Sequence, residues 1–302
     1  MRADVTDCCR TWRSNDERCR HLAPAGAEDA QTLCRRRIPR SESGRSYALV
    51  KPGAKRAYAQ LCLASRKDLR AAVDAARTAQ PGWAARSAYN RGQILYRMAE
   101  MVEGRAGSWQ ALLREGLGFS AAQAARSLAA TIDALVYFAG ATDKYPQIIG
   151  AVNPVAGPHH NFTAPEPVGV VGLLFPDTPD PGATAARIAA AIAAGNSVIA
   201  LLPGAAGGLV AEFGEAFATA DLPGGVINLL SGDAAELTPQ FASHMEIQGL
   251  AFLRDEPAQR TALERAAAEN MKRCVASHGP LLALERVLDF VEYKTVWHPI
   301  GT

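Results

Sequence analysis

The sequence predicts an α/β protein whose core is a doubly wound parallel sheet. Residues 168–175 form a continuous apolar run, as expected of a strand that is buried on both faces. Residues 183–194 form a helix of small residues, which Gly195-Asn196 ends. Residues 197–202 form a second apolar strand. A strand, a helix and another buried strand in this order favour a right-handed crossover between parallel neighbours.

The same alternation continues along the chain. Helices are predicted over residues 206–220 and 234–242, and strands over residues 226–230 and 247–253. A further Ala-rich helix is predicted over residues 257–273. The pattern therefore predicts at least four parallel strands with helices on both faces, in a Rossmann-like arrangement.

Helices are also predicted before this sheet. Residues 67–79 place apolar side chains on one face, and Pro81-Gly82 is expected to stop that helix. Residues 89–103 repeat the amphipathic pattern, and residues 108–145 predict one or two further Ala-rich helices. The parallel sheet is thus expected to carry an N-terminal helical layer.

Two segments lie outside the alternation. Residues 147–167 are punctuated by Pro and Gly, which predicts a protruding β-hairpin or flap with His159-His160 at its tip. Two adjacent histidines in a turn are either solvated or part of a metal site, and solvation is the simpler interpretation. Residues 288–297 alternate as a strand. Such a terminal strand needs an edge to pair with, and another subunit can supply one.

Composition limits the classes of partner. The 302 residues are 48% hydrophobic and 21% charged, with a net charge of +2, so nothing favours nucleic acid as a partner. No apolar run approaches the roughly 18 residues that suggest a membrane helix. Only Cys62 and Cys274 lie in the body of the chain, which is too few for a disulfide scaffold. With no apolar signal core at the N-terminus, a cytoplasmic location is expected.

Residues 1–40 differ from the rest of the chain. They hold nine arginines and show little apolar periodicity, so a disordered extension is expected. A basic targeting segment is one alternative. A metal site is another, although its candidate ligands lack C-x2-C spacing: Cys8, Cys9, Cys19, His21 and Cys34. In the rest of the chain no metal site is expected.

Three motifs in order carry a family resemblance. Residues 166–172 read Glu-Pro-Val-Gly-Val-Val-Gly, residues 193–199 read Ala-Ala-Gly-Asn-Ser-Val-Ile, and residues 222–232 read Leu-Pro-Gly-Gly-Val-Ile-Asn-Leu-Leu-Ser-Gly. Together they resemble the nucleotide-binding half of an aldehyde dehydrogenase. The flap resembles the oligomerisation hairpin of that family, and the terminal strand resembles its C-terminal strand, which in the family pairs across a subunit interface.

Only about thirty residues separate Asp255 from Arg286, where the family places a catalytic domain. The chain is therefore most similar to the degenerate, non-catalytic second copy of two-copy aldehyde dehydrogenases. The resemblance implies a nucleotide-fold domain over residues 41–286, with the flap at 147–167, and an oligomerisation strand over residues 287–302. It also implies a scaffold that forms a homo-oligomer or joins a catalytic aldehyde dehydrogenase subunit.

The family's cofactor motifs are altered at three places. Thr178 stands where the family has the Asn that donates to the oxyanion, so that role is weakened. Residues 202–205 read Leu-Pro-Gly-Ala instead of Lys-Pro-x-Glu, and residues 252–255 read Phe-Leu-Arg-Asp instead of Phe-Thr-Gly-Ser. NAD is therefore expected to bind weakly or not at all. The positions that correspond to its site are Phe175, Pro176, Thr178, Leu202, Pro203, Gly232 and Phe252.

The family's catalytic runs, Glu-Leu-Gly-Gly-Lys and Gly-Gln-x-Cys, are missing from the sequence. Cys274 is a remote candidate nucleophile, placed by the pattern at the end of a helix where the dipole opposes a thiolate. Glu269 is an equally weak candidate base. The sequence thus predicts an inactive chain. An NAD(P)-dependent oxidoreductase with atypical residues and a nucleotide-binding module without turnover remain as alternatives.

Overall fold

The computed structural model of the chain describes residues 41, 43–275 and 279–301. The predicted extension over residues 1–40, with its targeting and metal alternatives, lies outside the described residues. In chain order the strands are β1 (Ser46–Leu49), β2 (Ala59–Cys62), β3 (Ala151–Asn153), β4 (His159–Pro167), β5 (Val170–Leu174), β6 (Ser197–Pro203), β7 (Ile227–Gly232), β8 (Gly249–Phe252), β9 (Arg273–Val275) and β10 (Val291–Pro299).

Helices fill the intervals between these strands. In chain order they are α1 (Arg66–Ala84), α2 (Ala88–Gly104), α3 (Ala106–Ala111), α4 (Ala121–Ala141), α5 (Tyr145–Ile149), α6 (Pro181–Ala193), α7 (Leu209–Ala218), α8 (Ala234–Ser243), α9 (Pro257–Ala268) and α10 (Glu285–Leu288). A π-helical turn, Leu112–Gly116, follows α3, and a 3-10 turn, Gly204–Gly208, precedes α7.

The central sheet is parallel, which confirms the predicted fold class. Its strand order is β7-β6-β5-β8-β9, and both neighbours of β5 run parallel to it. Each of β5 to β8 is buried along its whole length, as the apolar runs predicted. Helices cover both faces. One face packs residues of α1, α8 and α9, such as Val73, Phe241 and Leu263, and the other packs residues of α2, α4, α6 and α7.

The fifth strand, β9, corrects the prediction of one helix over residues 257–273. Helix α9 ends at Ala268, and Met271 takes a φ of 52°, which turns the chain back towards the sheet. The Lys272 Nζ then donates to the Ile247 carbonyl at 2.7 Å, and Arg273 pairs with Gly249 of β8. Cys274 therefore lies in a strand and not at the end of a helix.

Helix α1 corrects a second expectation, because it continues through Pro81 to Ala84. Pro81 lies in the last turn of the helix. Trp83, two residues further on, is fully buried, and its Nε1 donates to the Ile192 carbonyl at 2.9 Å. This tertiary anchor on α6 outweighs the usual cost of a proline near the end of a helix.

The flap and the terminal strand pair with each other inside this chain. They form an antiparallel sheet in the order β10-β4-β3, with β10 aligned on β4 from Val291↔Pro167 to Pro299↔His159. The edge that β10 was expected to seek on another subunit is thus provided by β4. Buried Asn196 favours this arrangement, because its Nδ2 donates to the carbonyl of buried Phe290 at 2.9 Å, just before β10 begins.

The histidine pair is displaced from its predicted position at the tip of the flap. His159 and His160 begin β4, because the turn itself falls in residues 154–158. In the described part of the chain, no group of three or more His, Cys, Asp or Glu side chains is placed to hold a metal ion. Within that same part, no helix has both the length and the apolar character needed to cross a membrane.

Candidate functional site at the carboxyl edge of the sheet

The carboxyl ends of β5 to β8 meet at one edge of the parallel sheet, where such folds bind ligands. Two cavities lie there, with volumes of about 390 Å³ and 300 Å³. Phe175, Pro176, Thr178 and Phe252 line the larger cavity. Pro203 and Gly232 line the smaller cavity. Leu202 lines neither cavity, because β6 is buried on both faces and this side chain packs in the core.

The side chain of Arg254 lines both cavities and stands between them. Only 7% of it is exposed. Its guanidinium donates to the Phe175 carbonyl at 3.1 Å, to both Asp177 oxygens at 3.3 and 2.9 Å, and to Glu256 at 3.0 Å. Burial opposes the charge, but the hydrogen bonds that Arg254 donates to Asp177 and Glu256 outweigh this effect, so the pKa of Arg254 is raised. This residue fastens the loop after β5 to the turn after β8.

The turn after β6 is packed tightly against the loop after β5 and the β1–β2 hairpin. Gly204 has a φ of 55°, and a Cβ added there would lie 2.9 Å from the Cβ of Asp177. The Tyr47 hydroxyl donates to the Gly204 carbonyl at 3.0 Å, and burial raises the pKa of that phenol, which keeps the donor protonated. The hairpin of β1 and β2 therefore closes one side of the smaller cavity.

Carboxylates cap the two helices that begin beside the cavities. Asp180 Oδ1 accepts from the Ala183 N–H of α6 at 2.9 Å, and Asp233 Oδ1 accepts from the Ala235 N–H of α8 at 2.8 Å. A helix N-terminus is a natural site for a phosphate, because its N–H groups and dipole attract negative charge. Here a carboxylate of the chain itself already accepts one N–H group at the start of each helix.

Arg187 in α6 is a residue of this site that the motif comparison missed. It lines the larger cavity, with 8% of the residue exposed, and its NH1 lies 3.7 Å from Asp289. Burial lowers the pKa of Arg187, and the nearby charge of Arg286 adds to the effect. The signal in the sequence was a single arginine within an otherwise apolar helix.

Neither candidate catalytic residue reaches the cavities. Cys274 is exposed in β9, and desolvation together with the charge of Glu264 raises the pKa of its thiol. Cys62 is buried in β2. Glu269 follows the end of α9 and is exposed. Among the described residues, no cysteine is therefore placed as an activated thiolate at the carboxyl edge.

A third cavity of about 250 Å³ runs between α8 and α9. Its walls are mainly small apolar side chains, and Gln259 and Ala235 line both this groove and the smaller cavity of the sheet edge. Thr238 Oγ1 and Gln259 Oε1 are buried there without a hydrogen-bond partner in the described structure. These two atoms are polar groups in an otherwise mainly apolar groove.

The sequence profile of the aldehyde dehydrogenase family matches residues 39–281. Cytosolic aldehyde dehydrogenase 1 of Elephantulus edwardii is 31% identical over 245 residues, which are 79% of this chain and 48% of that protein. Cytosolic 10-formyltetrahydrofolate dehydrogenase of Xenopus tropicalis is 31% identical over 241 residues, which are 77% of this chain and 26% of that protein.

A solved structure agrees with these relatives. The NAD+ complex of an aldehyde dehydrogenase from Bacillus cereus superposes with a TM-score of 0.76 and 26% identity, over 82% of this chain and 50% of that one. The chain spans about half the length of the first curated relatives it matches. The sequence motifs, the parallel sheet and these similarities agree, and the chain belongs to the aldehyde dehydrogenase family.

Proposed function

We propose that this chain is a non-catalytic subunit of an aldehyde dehydrogenase-type assembly, comparable to the degenerate second copy of two-copy enzymes. The observation that carries the proposal is the Arg254 side chain, which is held in the carboxyl edge of the sheet by Asp177, Glu256 and the Phe175 carbonyl. The protein's own groups thus take up the donors of Arg254, which a bound dinucleotide would otherwise use.

The residues at this edge do not fit NAD. A pyrophosphate needs free N–H donors and positive charge, whereas the helices here begin with Asp180 and Asp233 as caps. Arg254 lines both cavities, but its donors are directed to Asp177 and Glu256. Leu202, at the position of the family's ribose-binding Lys, is buried in the core.

Covalent chemistry is equally unsupported. An aldehyde dehydrogenase of this family forms its intermediate on a thiolate, and a thiolate needs a low pKa and access to the substrate. The pKa of the Cys274 thiol is raised, and this residue lies outside the cavities. The residues described therefore support binding and assembly better than turnover.

The flap supports the assembly role. The antiparallel sheet of β3, β4 and β10 carries a row of apolar side chains on one face. The row consists of Val152, Phe162 and Val296, which are aligned across the three strands. Val152 and Val296 are 69% and 44% exposed. A row of exposed apolar side chains on an antiparallel sheet is typical of a protein interface. The partner is a second copy of this chain or a catalytic aldehyde dehydrogenase subunit, in the cytoplasm.

Calorimetry with NAD and NADP, beside an assay for aldehyde-dependent NADH formation, tests the proposal. Two lost charge-assisted hydrogen bonds, at about 1.5–3 kcal/mol each, move a micromolar affinity towards the millimolar range. We expect no saturable heat below millimolar cofactor and no NADH. Low-micromolar binding together with turnover would support the atypical oxidoreductase instead.

A triple variant sharpens this test. Arg254→Gly combined with Asp177→Ser and Glu256→Gln removes the guanidinium together with both of its carboxylate partners. We expect this variant to bind NAD at least about tenfold more tightly than the wild-type chain, because the space filled by the guanidinium is vacated and the negative charge at the edge falls. Equal affinities would show that Arg254 does not exclude the cofactor.

The groove between α8 and α9 favours a second candidate, a nucleotide-binding module without turnover. A planar base fits an apolar groove, and its ring nitrogens and amino group can satisfy Thr238 Oγ1 and Gln259 Oε1 once these buried side chains turn towards the groove. Titration with adenosine and AMP, in the wild type and in Thr238→Val, separates this function from a pure scaffold. Saturable binding that weakens in the variant, without NADH formation, favours the module.

A further inference from the structure

We propose that the larger cavity at the carboxyl edge binds a small organic monocarboxylate through the guanidinium of Arg187. The inference goes beyond the scaffold role, since it requires neither a dinucleotide nor a catalytic partner. It rests on the burial of Arg187, its position in the cavity wall and the way its charge is balanced.

Among the residues that the structure describes, none places an acceptor within hydrogen-bond distance of the buried Arg187 guanidinium. Only 10% of its side chain is exposed, and its one ion pair among the described residues is with Asp289 at 3.7 Å, beyond hydrogen-bond distance. A guanidinium carries five N–H donors, and a buried charge without hydrogen bonds is costly. The cavity beside it is open to a ligand that supplies acceptors.

Two other buried arginines of this protein, Arg91 and Arg254, are satisfied from within the chain. Arg91 donates to the carbonyls of Ala193, Ala84 and Arg86 at 3.2, 3.3 and 2.6 Å. Arg254 donates to two carboxylates and to the Phe175 carbonyl. Arg187 differs from these two because it lines the cavity and because its nearest carboxylate in the described structure is shared with another arginine. Asp289 lies closer to Arg286, at 3.2 Å, than to Arg187.

The other walls of the cavity define the class of ligand. Phe175, Phe252, Leu253 and Leu281 are apolar, and Thr178 adds a hydroxyl. About 390 Å³ is within the range of small-molecule sites and suits a carboxylate head on a short apolar tail. Asp180 and Asp255 also line the cavity, where they offset the charges of Arg254 and Arg260 and leave that of Arg187. A ligand with a single negative charge therefore matches the cavity wall better than phosphate does.

Isothermal titration of the full chain with hexanoate and with benzoate tests the site, with chloride and inorganic phosphate as competing anions. We expect saturable binding of the carboxylates and little effect of the inorganic ions. Arg187→Gln should weaken hexanoate at least about tenfold, because a charge-assisted hydrogen bond is lost. Arg97→Gln, on the surface of α2, removes the same charge and serves as the matched control, with unchanged affinity.

Asp289→Asn keeps the test decisive if Arg187→Gln fails to fold. In this variant no carboxylate of Asp289 competes with hexanoate for the Arg187 guanidinium. The variant should therefore bind hexanoate more tightly than the wild type. Circular dichroism of each variant reports folding separately from binding. Equal hexanoate affinities in the wild type, Arg187→Gln and Asp289→Asn would overturn the proposal, and so would chloride or phosphate binding as well as hexanoate. Either result leaves the non-catalytic assignment untouched.

Discussion

Gly225 is a position where the backbone allows no side chain. Its φ is 94°, and a Cβ added there would lie 2.5 Å from the Ala75 carbonyl of α1. Gly225→Ala should therefore destabilise the fold by about 2–5 kcal/mol, from left-handed strain and overpacking together. Gly53→Ala is the matched control, since φ is 80° but nothing lies within 4 Å. Urea unfolding should show a clearly smaller loss for the control, and equal losses would contradict this account.

His244 couples the stability of the fold to pH. Burial lowers its pKa below the ordinary 6.5, and the charge of Lys272 adds to the effect. Its Nδ1 also accepts from the Glu246 N–H at 3.3 Å, which requires an unprotonated nitrogen. As pH falls through 6.5 towards the folded pKa, the unfolded chain binds the proton first, so the free energy of unfolding decreases.

Replacing His244 should remove this part of the pH dependence. We expect His244→Gln to flatten the decline in the unfolding free energy over the slightly acidic range, as measured by urea titrations at several pH values. His298→Gln, which removes an exposed imidazole from β10, is the control and should keep the wild-type slope. A variant slope that matches the wild type would rule out this role for His244.

At the scale of elements, Asn196 joins three segments that are distant in sequence. Its Oδ1 accepts from Gly169 N–H at 2.9 Å, and its Nδ2 donates to the carbonyls of Ala191 at 3.0 Å and Phe290 at 2.9 Å. Asn196→Ala leaves these buried groups unsatisfied, so it should destabilise the protein by about 2–5 kcal/mol. In this variant, amide hydrogen exchange should increase more near Phe290 than in β6, relative to the wild type. Exchange that increases uniformly would argue against a specific link to the terminal segment.

Local sequence patterns predicted the helices and strands whose own residues carry the signal for that structure. The buried strands of the parallel sheet carry long apolar runs, so their existence and their parallel arrangement were predicted from the sequence. Strand β9 could not be predicted in this way, because Arg273, Cys274 and Val275 form a strand only through pairing with β8. The passage of α1 through Pro81 likewise depends on a contact between Trp83 and the distant Ile192.

The same distinction applies to the candidate site. The resemblance to the family's motifs predicted site residues after β5, β6 and β8, and parallel strands bring such residues to one carboxyl edge. The contact of Arg254 with Asp177 spans 77 residues, and no local pattern indicates it. The assignment of the seven cofactor positions stays a prediction, with Leu202 the one that the fold buries away from the cavities.

At the scale of the whole molecule, the exposed apolar row on the sheet of β3, β4 and β10 leads us to expect that the chain assembles with a partner. Val296→Glu places a charge in the apolar row with Val152, so light scattering should show a smaller species than the wild type. Met245→Glu, at an 80% exposed position of the loop after α8, is the control and should keep the wild-type size. An unchanged size for Val296→Glu would exclude this face as the interface. Deletion of residues 287–302 is less specific, because it also removes buried Val287, Phe290 and Val291.

The pairing of β10 with β4 has a consequence for how the protein is made. Thr163 and Thr295 are opposite each other in this sheet although 132 residues separate them. While the chain is being synthesised, β4 is complete long before its nine-residue partner exists, and only the three-residue β3 is available to it. A long strand edge left open in this way attracts other nascent chains. We therefore expect translation rate and chaperone supply to limit the yield of soluble protein.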